Sequence, residues 1–293
     1  MRILVTGATG FVGSAVVSEL LAARHDVVGM ARSDAGARAL QDAGAQVLRC
    51  ELTDLEGLRR GADASDGVIH TAFIHDFANF AQSCAIDRAA IEAMGAALAG
   101  SARPLVVSSG TGLLAPGGIA TEETVKPEGS PIPRMSEEAA LEADGVRGVV
   151  VRLPPSVHGA GDHGFVPILI RIAREKGFAA YIGEGGNHWP AVHRTDAAQV
   201  YRRALERGVG GMRYHATAEE GVPFRDIATA IGRGLNVPVR AISPEEASDY
   251  FGWFALFAGI DNRASSAWTR EVLEWTPSGP GLIADIDHAG YFG

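Results

Sequence analysis

The 293-residue sequence predicts an α/β fold in which a doubly wound parallel sheet is joined to a smaller, mostly helical C-terminal lobe. Three observations predict it. Short apolar segments alternate with helical ones as far as residue 155, the pattern of a parallel sheet covered on both faces. The first apolar segment, Ile3–Thr6, runs straight into Gly7, Gly10 and Gly13 and then into a helical pattern. Beyond residue 155 the alternation weakens and helical spacing of apolar residues takes over.

The expected strands are Arg2–Thr6, Asp26–Ala31, Gln46–Cys50, Gly67–Thr71, Pro104–Ser108 and Gly148–Leu153. Helices over Ser14–Ala23, Ala35–Ala43, Leu55–Ala62, Ala81–Ala99 and Arg134–Ala143 supply right-handed crossovers, so residues 1–155 read as a Rossmann domain. The proline- and glycine-rich stretch Ala115–Pro133 reads as a long loop. Residues 156–293 read as a substrate-binding lobe. It has helices at Phe165–Lys176 and Phe224–Leu235, a strand near Ala180–Ile182, and a helix running from Pro244 towards Phe257. Within it, His188–Leu205 is expected to return to the first domain as strand and helix.

Each glycine of the first turn answers a separate need. Gly7 permits the tight strand-to-helix turn, Gly10 lets backbone reach a pyrophosphate, and Gly13 lets the helix pack closely on the strand. The strand before and the helix after turn a weak glycine triplet into a dinucleotide-binding signal. Composition excludes other classes: the formal net charge is −9 with no basic run, against a nucleic-acid or anionic-membrane partner. No apolar run approaches the ~20 residues of a membrane span. Cys50 and Cys84, the only cysteines, form no metal or disulfide motif. With a strand starting at residue 2 leaving no room for a signal peptide, a cytoplasmic monomer or homodimer acting on a small molecule is expected.

Several separated motifs carry a family resemblance. They are Thr6-Gly7-Ala8-Thr9-Gly10-Phe11-Val12-Gly13, Glu51-Leu52-Thr53-Asp54, Val68-Ile69-His70-Thr71-Ala72 and Val106-Val107-Ser108-Ser109-Gly110. Further on come Val151-Arg152-Leu153-Pro154-Pro155-Ser156-Val157-His158-Gly159, Val192-His193-Arg194-Thr195-Asp196-Ala197-Ala198 and the tail Thr269-Arg270-Glu271-Val272-Leu273-Glu274-Trp275-Thr276-Pro277. Over nearly its whole length the chain resembles the extended short-chain dehydrogenase/reductase superfamily, the NAD(P)-dependent epimerase/dehydratase group. That group's usual Tyr-x-x-x-Lys pair is absent. The only lysines are Lys126 and Lys176, and Glu122 and Ile172 stand four places before them. Counting from Ser108 and Ser109 sets the pair's place near Arg134-Met135 and Glu138-Ala139, so the chain reads as an atypical member.

The resemblance implies cofactor contacts from Gly7, Thr9, Gly10, Phe11, Val12 and Gly13, with Glu51 and Leu52 at the adenine. Thr71, Ala72 and Phe73 would run beneath ribose and nicotinamide, and Ser108 would face the reacting carbon. Arg32 and Ser33 follow the glycines by about 20 residues, where an acid would hold a 2′-hydroxyl and an arginine a 2′-phosphate. No acid occupies Gly29–Ser33, so NADP(H) is expected, the alternative being that Arg32 is a solvated loop cation.

For proton transfer the candidates are Ser108, His75 and His158, with Ser109 and Thr111 as hydroxyls near the substrate. His163, His188 and His193 are further histidine candidates, His193 reading rather as scaffold. Arg134 reads either as an anion or carbonyl clamp or as an ordinary helix ion pair with Glu138. Tyr250–Phe257 is the most aromatic stretch; Phe251 and Trp253, with Trp189, would wall an apolar pocket, form a dimer contact or fill the lobe core. No metal set is present. The sequence thus reads as an NADP(H)-dependent oxidoreductase transferring hydride to or from a small or medium, partly apolar carbonyl or related C=X substrate. The alternatives are a catalytically silent NADP(H)-binding sensor and a sugar-nucleotide epimerase or dehydratase.

Overall fold

The computed structural model describes residues 1–114, 118–288 and 290–293. It opens with β1 (Arg2–Thr6), α1 (Phe11–Ala22), β2 (Asp26–Ala31), α2 (Asp34–Asp42), β3 (Gln46–Arg49), α3 (Leu55–Asp63), β4 (Gly67–His70), α4 (Phe80–Leu98) and β5 (Pro104–Gly110). There follow β6 (Ile119–Ala120), α5 (Ser136–Leu141), β7 (Arg147–Leu153), β8 (Ser156–His158), α6 (Phe165–Lys176), β9 (Ala179–Ile182), β10 (His188–His193) and α7 (Arg194–Arg207). The chain continues through β11 (Arg213–His215), β12 (Glu219–Pro223), α8 (Phe224–Leu235), β13 (Val239–Ile242), α9 (Ala247–Phe251), α10 (Ala255–Ala258), β14 (Arg263–Ala264), α11 (Ala267–Val272) and α12 (Leu282–His288).

The central sheet has seven parallel strands in the order β11-β7-β5-β4-β1-β2-β3. All six expected strands are in it. The seventh, β11, is too short to show a pattern and joins through its register with β7, Arg213 opposite Val150. Ile3, Leu4 and Val5 are sealed because helices cover both faces, which is why β1 reads as a continuous apolar run rather than an alternating one. Strand order reverses between β1 and β4, so their carboxyl ends open the crevice where open α/β sheets take ligands. Helix α7 packs on α1, and its Val200, Tyr201, Ala204 and Leu205 share one apolar core with Val16 and Leu20.

The second lobe is helical with short strands between: β12-β10-β8 form a sheet, and β13-β9 and β14-β6 pair in twos. Its core gathers Trp189, Phe224, Ile227, Ile231, Phe251 and Phe254. The helix expected to continue from Pro244 towards Phe257 breaks at Gly252, whose φ of +58° ends α9. Helix α5 begins at Ser136, not Arg134, so Arg134 lies in the segment before it. Of the expected loop Ala115–Pro133, residues 115–117 lie outside the described residues, and Ile119–Ala120 pair with β14. Among the described residues no helix is long and apolar enough to cross a membrane.

Candidate active site

The turn between β1 and α1 is built for close approach of backbone. Gly7 has φ +64°, and a Cβ there would meet the Ala72 nitrogen at 2.7 Å. At Gly13 a Cβ would lie 2.0 Å from the Gly7 carbonyl oxygen, so only glycine lets α1 sit against β1. Gly10 is the N-cap of α1 and makes no side-chain cap, leaving the helix's first N–H groups to an anion. Thr9 and Gly10 are exposed, with Phe11 and Val12 half-buried beside them. Phe11 lies under the Arg194 guanidinium at 4.6 Å. These features fit a dinucleotide pyrophosphate.

At the end of β2, Arg32 is exposed, while the Ser33 hydroxyl accepts from the Gly36 N–H at 3.1 Å and caps α2. The nearest acid, Asp34, is paired with Arg49 at 2.6 Å. Glu51 is exposed and accepts from the Thr53 hydroxyl, and Leu52 is buried beside it. Among the described residues no cluster suits a metal ion.

The ends of β4 and β5 carry the polar groups that face one another. The Ser108 hydroxyl donates to the His70 carbonyl at 2.7 Å and meets the Tyr201 hydroxyl at 2.7 Å, so its hydrogen-bonding capacity is already engaged. Burial pushes the Tyr201 phenol well above its ordinary range. The Ser108 carbonyl instead accepts from Arg134 Nη2 at 3.1 Å. Thr111 is sealed, its hydroxyl donating to Asn262 at 2.8 Å. Ser109 is buried beside Glu137, a carboxyl whose burial opposes ionisation but which Arg152, at 2.7 and 2.8 Å, and Arg213 hold down at about 2.

Arg134 stands at the centre. Its guanidinium lies 4.2 Å over the Phe73 ring, and its Nε donates to the Ser136 hydroxyl at 2.8 Å. The expected Arg134–Glu138 helix pair does not form. Because α5 starts after Arg134, the two residues are not one helical turn apart, and Glu138 pairs with Lys126 at 3.1 Å. His75 is exposed with its ring 5.2 Å from Phe73. Packing around the ring, then the charges of Arg134 and His163, hold its pKa below the ordinary 6.5.

His158 is placed differently. It is sealed at 0% exposure with Nδ1 2.8 Å from Asp285, and shares no partner with Arg134. Trp189 and Phe251 are likewise spent in the lobe core. Trp253 alone of the three reaches the surface, 53% exposed and stacked on Phe77 at 5.1 Å. Phe77 stacks on Phe80, and Phe80 meets Phe73, so aromatic rings run unbroken from Arg134 to Trp253.

Sequence reading missed His70, Asp87, Ser136 and Tyr201. One signal was present for Asp87: it is the lone acid within the apolar face Cys84, Ala90, Ile91, Met94 of α4, and a charge there needs partners.

The model of the NAD dependent epimerase/dehydratase family matches residues 3–216. The chain belongs to that family. It is 47% identical over its whole length to an uncharacterized protein of Schizosaccharomyces pombe, also covered in full. It is 28% identical, over 79% of this chain and 72% of the relative, to a 4-hydroxy-2-methyl-3-oxo-4-farnesyl-3,4-dihydroquinoline-1-oxide ketoreductase of Stigmatella aurantiaca. A dTDP-glucose 4,6-dehydratase of Streptomyces venezuelae, solved with NAD bound, superposes with a TM-score of 0.78 at 18% identity, covering 100% of this chain and 97% of that one. This family member carries Arg134 before α5, with neither a tyrosine at that position nor a lysine at 138.

Proposed function

We propose that this epimerase/dehydratase family member is an NADP(H)-dependent reductase of partly apolar carbonyl compounds, in which Arg134 receives the substrate oxygen. The observation that carries the reading is the Arg134 guanidinium, fixed between the Phe73 ring and the Ser108 carbonyl where β4 and β5 end. The distant ketoreductase relative supports the reaction class. When bound, the cofactor supplies a hydride to the carbonyl carbon. The charge that then develops on the carbonyl oxygen falls to Arg134, a permanent cation whose N–H groups stabilise an oxyanion but cannot give up a proton. His75 is the nearby group able to pass one. The aromatic run from Phe73 to Trp253 suits an apolar substrate body, with Ser109 lining the polar end.

The assay is NADPH titration by intrinsic tryptophan fluorescence, followed by NADPH oxidation with a panel of ketones, aldehydes and imines. Turnover supports the reductase; tight binding with no turnover across the panel would assign the chain to a cofactor-sensing role instead. For the cofactor, Arg32→Glu is expected to lose about 1.5–3 kcal/mol of NADPH binding, roughly ten- to a hundredfold, while NADH binding changes little. Equal loss for both would remove Arg32 from the 2′-phosphate.

The pH profile follows from His75. With its pKa below 6.5, the imidazole is neutral at pH 7 and is a proton acceptor there. Reduction needs the protonated ring, so its rate is expected to rise as pH falls through that lowered pKa. Alcohol oxidation needs the neutral ring and is expected to rise as pH climbs through it, then level off. His75→Gln should flatten both kcat/KM profiles; an unchanged profile would leave the proton to solvent.

A further inference from the structure

Arg134 belongs to no helix or strand, yet a continuous buried chain of hydrogen bonds ties it to the middle of the sheet. Its Nε donates to Ser136 Oγ at 2.8 Å, and that hydroxyl donates to Asp87 Oδ2 at 2.5 Å. Asp87 Oδ1 lies 3.1 Å from His70 Nε2, and His70 Nδ1 lies 2.7 Å from Thr6 Oγ1. Thr6, His70, Asp87 and Ser136 are all 0–1% exposed. One assignment satisfies every link: Thr6 donates to Nδ1, and Nε2–H donates to Asp87. The chain ends at the cofactor turn, where the Thr71 hydroxyl donates to the Thr6 carbonyl at 2.8 Å.

We propose that Ser136 and Asp87 are positioning residues that orient Arg134 for a substrate oxygen without cancelling its charge; this rests on the reductase reading above. The physical reason lies in the serine between the two ions. A carboxylate meeting the guanidinium directly forms a two-pronged pair that takes up two N–H donors and neutralises the cation. Here the hydroxyl takes only Nε–H and passes the attraction of Asp87 on at one remove. Nη1 makes no hydrogen bond among the described residues, and Nη2 donates only to the Ser108 carbonyl. The anchor is rigid because Asp87 sits on α4 and is gripped by His70 from β4, so Arg134 borrows from the sheet the precision that a loop lacks.

The test is Ser136→Ala, which removes the hydroxyl and no charge, read by the NMR titration of His75. The charged groups acting on that ring are Arg134 and His163, which lower its pKa, and Asp87, which raises it. If Ser136 holds Arg134 in place, its loss frees the guanidinium and moves the His75 pKa up towards 6.5, as Arg134→Gln also should. Turnover on any accepted ketone should fall about tenfold with NADPH affinity unchanged. A His75 titration in Ser136→Ala identical to wild type would overturn the proposal. Asp87→Asn serves should that variant not fold: hydrogen exchange at Arg134 Nε–H is expected to quicken at least tenfold, and unchanged exchange would overturn it equally. The His75 titration and the Arg134 Nε–H exchange need no substrate. Absence of ketone turnover would therefore remove the reductase reading while leaving the positioning result to stand or fall separately.

Discussion

Arg134→Gln is expected to lower kcat on accepted ketones by about a hundred- to a thousandfold, roughly 2.7–4 kcal/mol, the loss that follows removal of one donor from a developing oxyanion. NADPH affinity should be unchanged, because the cofactor turn at Gly7, Gly10 and Gly13 makes no hydrogen bond to this side chain. Glutamine can keep a hydrogen bond to Ser136 but lacks the charge and the planar fork. Arg134→Lys keeps the charge, loses the fork and the flat stacking on Phe73, and should recover only part of the rate. Steady-state kinetics beside fluorescence titration separates the two effects. A glutamine variant with wild-type kcat would move the oxyanion to another group.

Gly13→Ala is expected to abolish NADPH binding and to lower the melting temperature. The added Cβ would stand 2.0 Å from the Gly7 oxygen, 2.7 Å from the Gly7 carbonyl carbon and 2.8 Å from Thr71 Oγ1. Two of those atoms are backbone in the turn itself, so relief requires α1 to move away from β1. Overpacking of this kind costs about 1–3 kcal/mol, and the movement also withdraws the helix N-terminus from the pyrophosphate. Gly186→Ala is the control. Nothing lies within 4 Å of a Cβ built there, so its thermal melt and NADPH affinity should match wild type. Retained NADPH affinity in Gly13→Ala would show that the turn can open without loss of the ligand.

The sheet was legible because its inner strands are sealed on both faces and so read as apolar runs bounded by turns, while the edge strand β3 is only half-buried. Ile3–Val5 and Val149–Val151 have this character, and β11, with three residues, is too short to have it. The glycine turn was legible for a related reason: its requirement is local, three backbone positions within seven residues. The helix expected over Arg134–Ala143 is shorter in the fold, Ser136–Leu141, although Arg134 itself has good helix propensity. Its interactions with Phe73, Ser108 and Ser136 draw the residue out of the helix, and the ion pair with Glu138 went with it. Among the aromatic candidates, Trp189, Phe251 and Trp253 are equivalent by residue type. Packing alone separated two core rings from one surface ring.

Local pattern was sufficient for the α/β class, the strand sequence of the Rossmann sheet and the glycine cradle, because periodicity and backbone conformational freedom act over a few neighbouring residues. The site behind Arg134 could not be reached that way. Thr6, His70, Asp87, Arg134 and Ser136 are scattered between positions 6 and 136, and each alone is an ordinary polar residue. They become one hydrogen-bonded unit only when β1 and β4 lie side by side and α4 and α5 close over them, where exclusion of water obliges each buried polar group to find its partner.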